Sequence, residues 1–107
     1  MAIYGVVLVT ASSQDEALRL ADYLVEASLA ACVNFFPMQS VYRWQGQLHH
    51  DSEWQLVIKT RLEHLPQIET CLRELHSYEV PEMIALPIVN GSGAYLEWLT
   101  EQTADPT

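Results

Sequence analysis

Apolar residues follow two rhythms along the chain, and the switches between them mark out its elements. Residues 3–10 are a β-branched apolar run too short for a typical helix, which predicts a central strand covered on both faces. Ser13 with Glu16 three residues later fits a capping box, and Ala17, Leu18, Ala21, Leu24, Val25 and Leu29 recur at helical spacing. Asp15, Glu16, Arg19, Asp22 and Glu26 take the opposite stripe, so this first helix is expected to turn all five to solvent. Residues 31–44 read as strand, with Pro37 marking a bend, a bulge or an edge position because it has no N–H to donate. Gln45 and Gly46 supply a tight turn, and residues 47–60 return with Trp54, Leu56 and Ile58 alternating with Glu53, Gln55 and Lys59.

A second helix turns Leu65, Ile68, Leu72 and Leu75 inward and Glu63, Gln67, Glu69, Arg73 and Glu74 outward. Pro66 suits its first turn; a start at Thr60, capped through Glu63, would instead make Pro66 a kink. Residues 76–81 form a connection and 83–89 a last strand, whose Pro87 argues for an edge or a bulge. Residues 90–93 make a turn, with Ser92 capping a helix expected to bury Tyr95, Leu96, Trp98 and Leu99, and residues 104–107 are expected to fray. The order β-α-β-β-α-β plus a helix predicts one α+β domain over 1–107, of the ferredoxin-like split-βαβ type, an architecture that hosts many functions.

Each arm of the hairpin holds fourteen residues, about 46 Å at ~3.3 Å per residue. A domain of this size has a radius of gyration of roughly 13 Å, so a straight hairpin overhangs its own body. Its exposed end carries Val41, Tyr42 and Trp44, an edge that calls for pairing with another subunit. The alternative is a sharp bend at Pro37 that folds the arm back.

Composition changes this picture in a few respects. Fourteen acidic residues against five basic give a net charge of −9, which repels nucleic acid and attracts cations. No apolar stretch approaches the ~20 residues of a membrane helix, and the N-terminus lacks the pattern of an export signal, so a soluble, cytoplasmic protein with reduced Cys32 and Cys71 is expected.

Metal-ligand spacings such as C-x-x-C or H-E-x-x-H are missing. His49 and Asp51, two apart on a strand, share a face, but a solvated polar stretch near a turn is the better account of them. Cys32 reads either as a small buried hydrophobe or as a soft ligand, and Cys71 as core filler. Residues 76–82 crowd His76, Tyr78, Glu79 and Glu82 into one short connection, fit either for binding or for a rigid loop fixed by Pro81. Phosphate-binding glycine patterns and a G-x-S-x-G are missing, and Cys32 with His76 would need a third orienting group to act as a nucleophile pair, so no enzyme is expected.

Taken together, the stretch 29–34 (Leu-Ala-Ala-Cys-Val-Asn), Tyr42-x-Trp44-x-Gly46, Glu53 ahead of Ile58-Lys59-Thr60, His76-x-Tyr78-Glu79-Val80-Pro81-Glu82, Leu86-Pro87-Ile88 and Tyr95-Leu96-x-Trp98 resemble the CutA-like divalent-cation tolerance family. Six blocks in order, from Val6 to about Leu99, carry the resemblance. It implies a ferredoxin-like subunit in a homotrimer whose hairpins cross subunit boundaries, tolerance to divalent metals with copper most often named, no obligatory cofactor and no established catalysis. It makes Cys32 and His76 the ligand candidates for Cu²⁺ or another divalent ion. Tyr42, Trp44, Glu53, Lys59, Tyr78, Glu79 and Glu82 become the lining of clefts between subunits. Two departures stand out: Ser77 replaces a proline that commonly follows the loop histidine, and residues 37–40 are one residue shorter and lack a glycine, which leaves the bulge there open. A signalling trimer of the PII type, sensing a small molecule at similar clefts, is the alternative, by analogy of fold.

Overall fold

The computed structural model describes residues 3–104. Its elements are β1 (Tyr4–Ala11), α1 (Gln14–Glu26), β2 (Cys32–Trp44), β3 (Gln47–Arg61), a short 3-10 turn (Leu62–His64), α2 (Leu65–Leu75), β4 (Ile84–Pro87) and α3 (Gly93–Gln102). The strands form one antiparallel sheet in the order β2-β3-β1-β4, with β3 lying between the two strands that α1 connects. Of the tail expected to fray, residues 104–107, all but the first lie outside the described residues.

The hairpin runs in one uninterrupted register, from Cys32 opposite Lys59 to Trp44 opposite Gln47. Pro37 sits opposite Trp54 with neither bulge nor fold-back, because β2 is an edge strand, where a proline is tolerated. At the tip, Gln45 (φ 52°) and Gly46 (φ 76°) both take left-handed backbone, the geometry that matches the twist of a two-residue hairpin. β1 accompanies β3 only as far as Ala11 opposite Trp54, so residues 38–53 run on as a bare two-stranded arm. The arm gives the chain its longest dimension, 44 Å against 27 and 22 Å.

One face of the sheet carries the core. Val7, Val9, Ala11, Leu56 and Ile58 meet Ala17, Leu20 and Leu24 of α1 and Ile68 and Leu72 of α2. Ser13 caps α1 by accepting from the Glu16 N–H at 3.1 Å, and Pro66 stands in the first turn of α2, which begins after the 3-10 turn without a kink. The inward stripe of α1 is centred on Leu20 and Leu24, so the expected core residues Leu18 and Val25 fall on its flanks and are exposed. Leu75, at the last turn of α2, is also exposed. Glu16, expected on the outer face, is buried.

The third helix lies on the other face of the sheet. The Tyr4 and Thr100 hydroxyls are 2.7 Å apart, and Arg61 Nε donates to Thr103 Oγ1 at 2.9 Å. Ser92 caps it as expected, but of the four residues predicted to be buried only Leu99 is. Tyr95 and Trp98 pack on each other, ring centroids 5.5 Å apart, and stay 40–41% exposed. Phe36, Ile84 and Leu86 on the same sheet face are 46–48% exposed, so α3 covers that face only in part.

Gly5 marks a close approach between β1 and its surroundings: a Cβ there runs into the Leu62 side chain and lies 3.0 Å from the Leu86 carbonyl oxygen. Gly5→Ala is expected to lower stability by about 1–3 kcal/mol. Urea unfolding followed by far-UV circular dichroism checks this; an unchanged midpoint would refute the constraint.

Candidate functional site

Strand alternation places Thr10, Met38, Tyr42, Trp44, Glu53 and Gln55 on the sheet face away from α1 and α2. The connection 76–82 closes against this face and bounds a groove of about 790 Å³. Tyr42, Trp44, Glu53, Tyr78, Glu79 and Glu82, six of the seven residues expected in a cleft, line it. Tyr78 donates to Glu53 Oε2 at 2.7 Å, joining the loop to the hairpin. Burial and the bond to Glu53 both push the Tyr78 hydroxyl above its ordinary range, so it stays a donor at neutral pH. Further out, Tyr42 donates to Asp51 and stacks on His49, ring centroids 5.4 Å apart, so the His49 and Asp51 pair is tied through one phenol. The Asp51 bond holds the Tyr42 hydroxyl up at about 12.

A buried polar clamp fixes the loop. Glu16 is only 3% exposed, and its carboxylate accepts from Ser12 N–H at 2.8 Å, Ser12 Oγ at 2.9 Å and Ser77 N–H at 2.8 Å. Burial alone raises its pKa, but the hydrogen bonds from Ser12 and Ser77 outweigh that and leave it at about 2. The His76 side chain is fully buried beside it. Its Nδ1 accepts from Tyr78 N–H at 3.0 Å, so Nε2 carries the proton donated to the Thr10 carbonyl at 2.6 Å. Both nitrogens are thereby engaged, and the ring lies beneath the groove rather than on its wall.

The remaining candidates lie elsewhere. Cys32 and Lys59 stand opposite each other in the hairpin register, whereas Thr10 pairs with Gln55, four residues along β3 and so roughly 13 Å away. Cys32 is half-buried near Tyr95, whose hydroxyl is raised by burial and by the nearby thiol. Cys71, half-buried on α2, has its thiol pKa raised, mainly by burial. The subunit by itself therefore does not bring Cys32 and His76 together, and among the described residues no three His, Cys, Asp or Glu side chains are placed to hold one ion. The donors that line the groove are mostly carboxylates and hydroxyls, a set suited to hard cations, joined by the Gln55 amide and the Met38 thioether, with thiol and imidazole outside it. Sequence reasoning missed Thr10, Ser12 and Gln55, and took Glu16 for a surface residue. The Ser-x-x-Glu spacing that predicted the cap was the one available signal for Glu16.

An acid-lined groove on a half-covered antiparallel sheet, beside a long bare hairpin, marks out this α+β fold. The model of the family described as CutA1 divalent ion tolerance protein matches residues 5–102, and the chain belongs to that family. The divalent-cation tolerance protein CutA of Thermus thermophilus is 46% identical over 92% of this chain and 96% of its own length. The chloroplastic CutA of Arabidopsis thaliana is 46% identical over 92% of this chain, which spans 54% of that longer protein. The structure described as the periplasmic divalent cation tolerance protein CutA of Archaeoglobus fulgidus superposes with a TM-score of 0.94 at 35% identity, over 95% of this chain and all of its own. These descriptions overturn the expected cytoplasmic location, since one relative is periplasmic and another chloroplastic. No described helix is long and apolar enough to cross a membrane.

Because the Glu16 pKa is depressed on folding, its stabilisation is present above its ordinary value near 4.5 and is lost as pH falls through about 2. Glu16→Gln is expected to cost roughly 3 kcal/mol at neutral pH, with the deficit shrinking between pH 4.5 and 2. Denaturant unfolding of both forms across that range checks it, and a deficit independent of pH would contradict the clamp.

Proposed function

We propose that residues 1–107 form one ferredoxin-like domain that assembles as a homotrimer and contributes, without catalysis, to the response to divalent metal ions by binding them at clefts between subunits. The observation that carries this reading is the groove itself. Among the described residues it has carboxylates and no Lys, Arg or His on its wall, it opens on the incompletely covered sheet face, and its hairpin wall runs past the body of its own subunit. An isolated arm of this length, with Val41, Tyr42, Trp44 and Leu48 exposed, is an edge that a neighbouring subunit would cover.

Donors from two subunits would complete a coordination set that one subunit leaves short. Glu53, Glu79 and Glu82 supply oxygen ligands, and Cys32 is the thiolate a neighbour would bring for a soft ion such as Cu²⁺. His76 joins such a set only if its bond to Tyr78 opens. The strongly acidic surface disfavours nucleic acid as a partner. A PII-like sensor of a small molecule is the second reading, favoured by the groove's volume and its three aromatic side chains, which fall within the range of small-molecule pockets.

Cu²⁺ titration of the reduced protein by calorimetry, with Zn²⁺ and ATP alongside and particle mass monitored, tests the choice. Saturable metal binding at a fixed number per trimer, weakened in Cys32→Ser, is expected; an intact trimer that takes up ATP and no metal would replace it with the sensor reading. Trp44→Ala is expected to loosen the assembly, seen as a trimer that dissociates at concentrations where the wild type does not. Unchanged sedimentation would remove the hairpin from the interface.

A further inference from the structure

We infer that His76 is a positioning residue: its imidazole holds Tyr78 against Glu53 and does not itself meet the ion, in place of the ligand role that the family resemblance implies. This rests on Glu53 being an oxygen ligand in the cleft proposed above, and it names what holds that ligand there.

An imidazole binds a metal ion through a ring nitrogen whose lone pair is free. A neutral ring has one such nitrogen, and here the Thr10 carbonyl decides which. A carbonyl only accepts, so Nε2, 2.6 Å from it, carries the proton. The lone pair therefore belongs to Nδ1, which accepts from the Tyr78 N–H at 3.0 Å. Glu16 Oε2, 3.9 Å from Nδ1, accepts from the Ser77 N–H at 2.8 Å, so the neighbouring carboxylate is committed as well. Both partners of the ring are main-chain groups, and freeing Nδ1 for an ion would strip the Tyr78 amide of its acceptor. The side chain is 0% exposed within its own chain. A neighbouring subunit adds cover to such a ring and takes none away, so the arrangement does not depend on how the cleft is completed.

The same contacts aim Tyr78. Its amide is fixed by Nδ1, and its ring packs on the imidazole with centroids 4.9 Å apart at 49°. So placed, its hydroxyl donates to Glu53 Oε2 at 2.7 Å. A relay thus runs from the Thr10 carbonyl of β1 through His76 and Tyr78 to a carboxylate of β3, all within one subunit. Engaging Oε2 sets the direction in which Oε1 is offered, which is how a side chain outside a coordination set governs one inside it.

Nitrogen NMR of the histidine rings in the assembled protein, with Zn²⁺ as a diamagnetic probe, reads the ring directly. His76 is expected as the Nε2–H tautomer, with an Nδ1 resonance that saturating Zn²⁺ leaves in place; a coordination shift at Nδ1 overturns the inference. Calorimetry supplies the second reading. His76→Ala is expected to weaken Zn²⁺ binding about tenfold, the usual effect of losing an outer partner of a ligand. His76→Asn, whose side-chain oxygen stands where Nδ1 does and accepts from the Tyr78 N–H, is expected to recover most of that loss. Tyr78→Phe added to His76→Ala is expected to cost nothing further, because both act through one contact. Equal losses in the alanine and asparagine variants, or additive losses in the double variant, mark a ligand, and full affinity in His76→Ala removes the positioning role. Should His76→Ala not fold, the wild-type resonance and the affinity of His76→Asn decide alone. If neither Zn²⁺ nor Cu²⁺ binds the wild type, the metal reading falls, and the Glu53 carboxyl carbon resonance decides this one. A shift shared by His76→Ala and Tyr78→Phe and reversed in His76→Asn upholds the relay; an unmoved resonance overturns it.

Discussion

The unbroken pairing of β2 with β3 governs which side chains of this protein can ever meet. Thirteen residues of β2 hold one register against β3, so all the even-numbered positions from Cys32 to Trp44 share a face with the odd-numbered positions from Gln47 to Lys59. A slip of β3 by one residue would send Glu53 away from Tyr42 and Trp44 to the opposite side and put Leu56 and Ile58 on the groove face. The buried set Leu56, Ile58 and Thr60 forbids that slip, because it is locked beneath α1 and α2, with Thr60 Oγ1 donating to the Leu29 carbonyl at 2.5 Å. The position of the groove wall is thus decided by the packing of the other face.

The second wall depends on a polar constraint. The loop after α2 packs Met83, at its far end, against the core, and its first residues are fastened by Glu16 and His76, each buried and each hydrogen-bonded mainly to backbone. Ser77, at the position where the family resemblance implied a proline, has an N–H that proline would lack, and that N–H is one of the donors to Glu16. What the loop gives up in covalent stiffness it regains through this bond. The residue singled out as a metal ligand and the residue taken for a solvated surface charge turn out to act as neighbours in one support.

The order of elements, both capping serines, the tight turn and the length of the hairpin were legible in the sequence because each depends on local chemistry or on a simple period. The reach of helical periodicity ended at the flanks: Leu18, Val25 and Leu75 fit the apolar stripe and still face outward, since the width of the stripe is set by what packs against it. Tyr95 and Trp98 were read as core for the same reason, although one half-covered sheet face leaves them open. Six residues that the family pattern picked out line one groove of the subunit, and Lys59 does not, because register puts it beside Cys32. Glu16 was not, since a carboxylate at the start of a helix is ordinarily solvated, and the loop that meets it here, through His76 and Ser77, is distant in sequence.

That separation has a consequence for the order in which the protein assembles. Glu16 reaches Ser77 across 61 positions and His76 reaches Thr10 across 66, so both bonds close large loops. Contacts of such high contact order form after the hairpin and the helices that carry them, and they are among the slowest to be established. The same bonds sit at the margin of the cooperative core, which makes the loop the segment released first when the native state opens locally. Amide exchange along residues 76–82 would therefore report on the binding groove well before the sheet itself gives way.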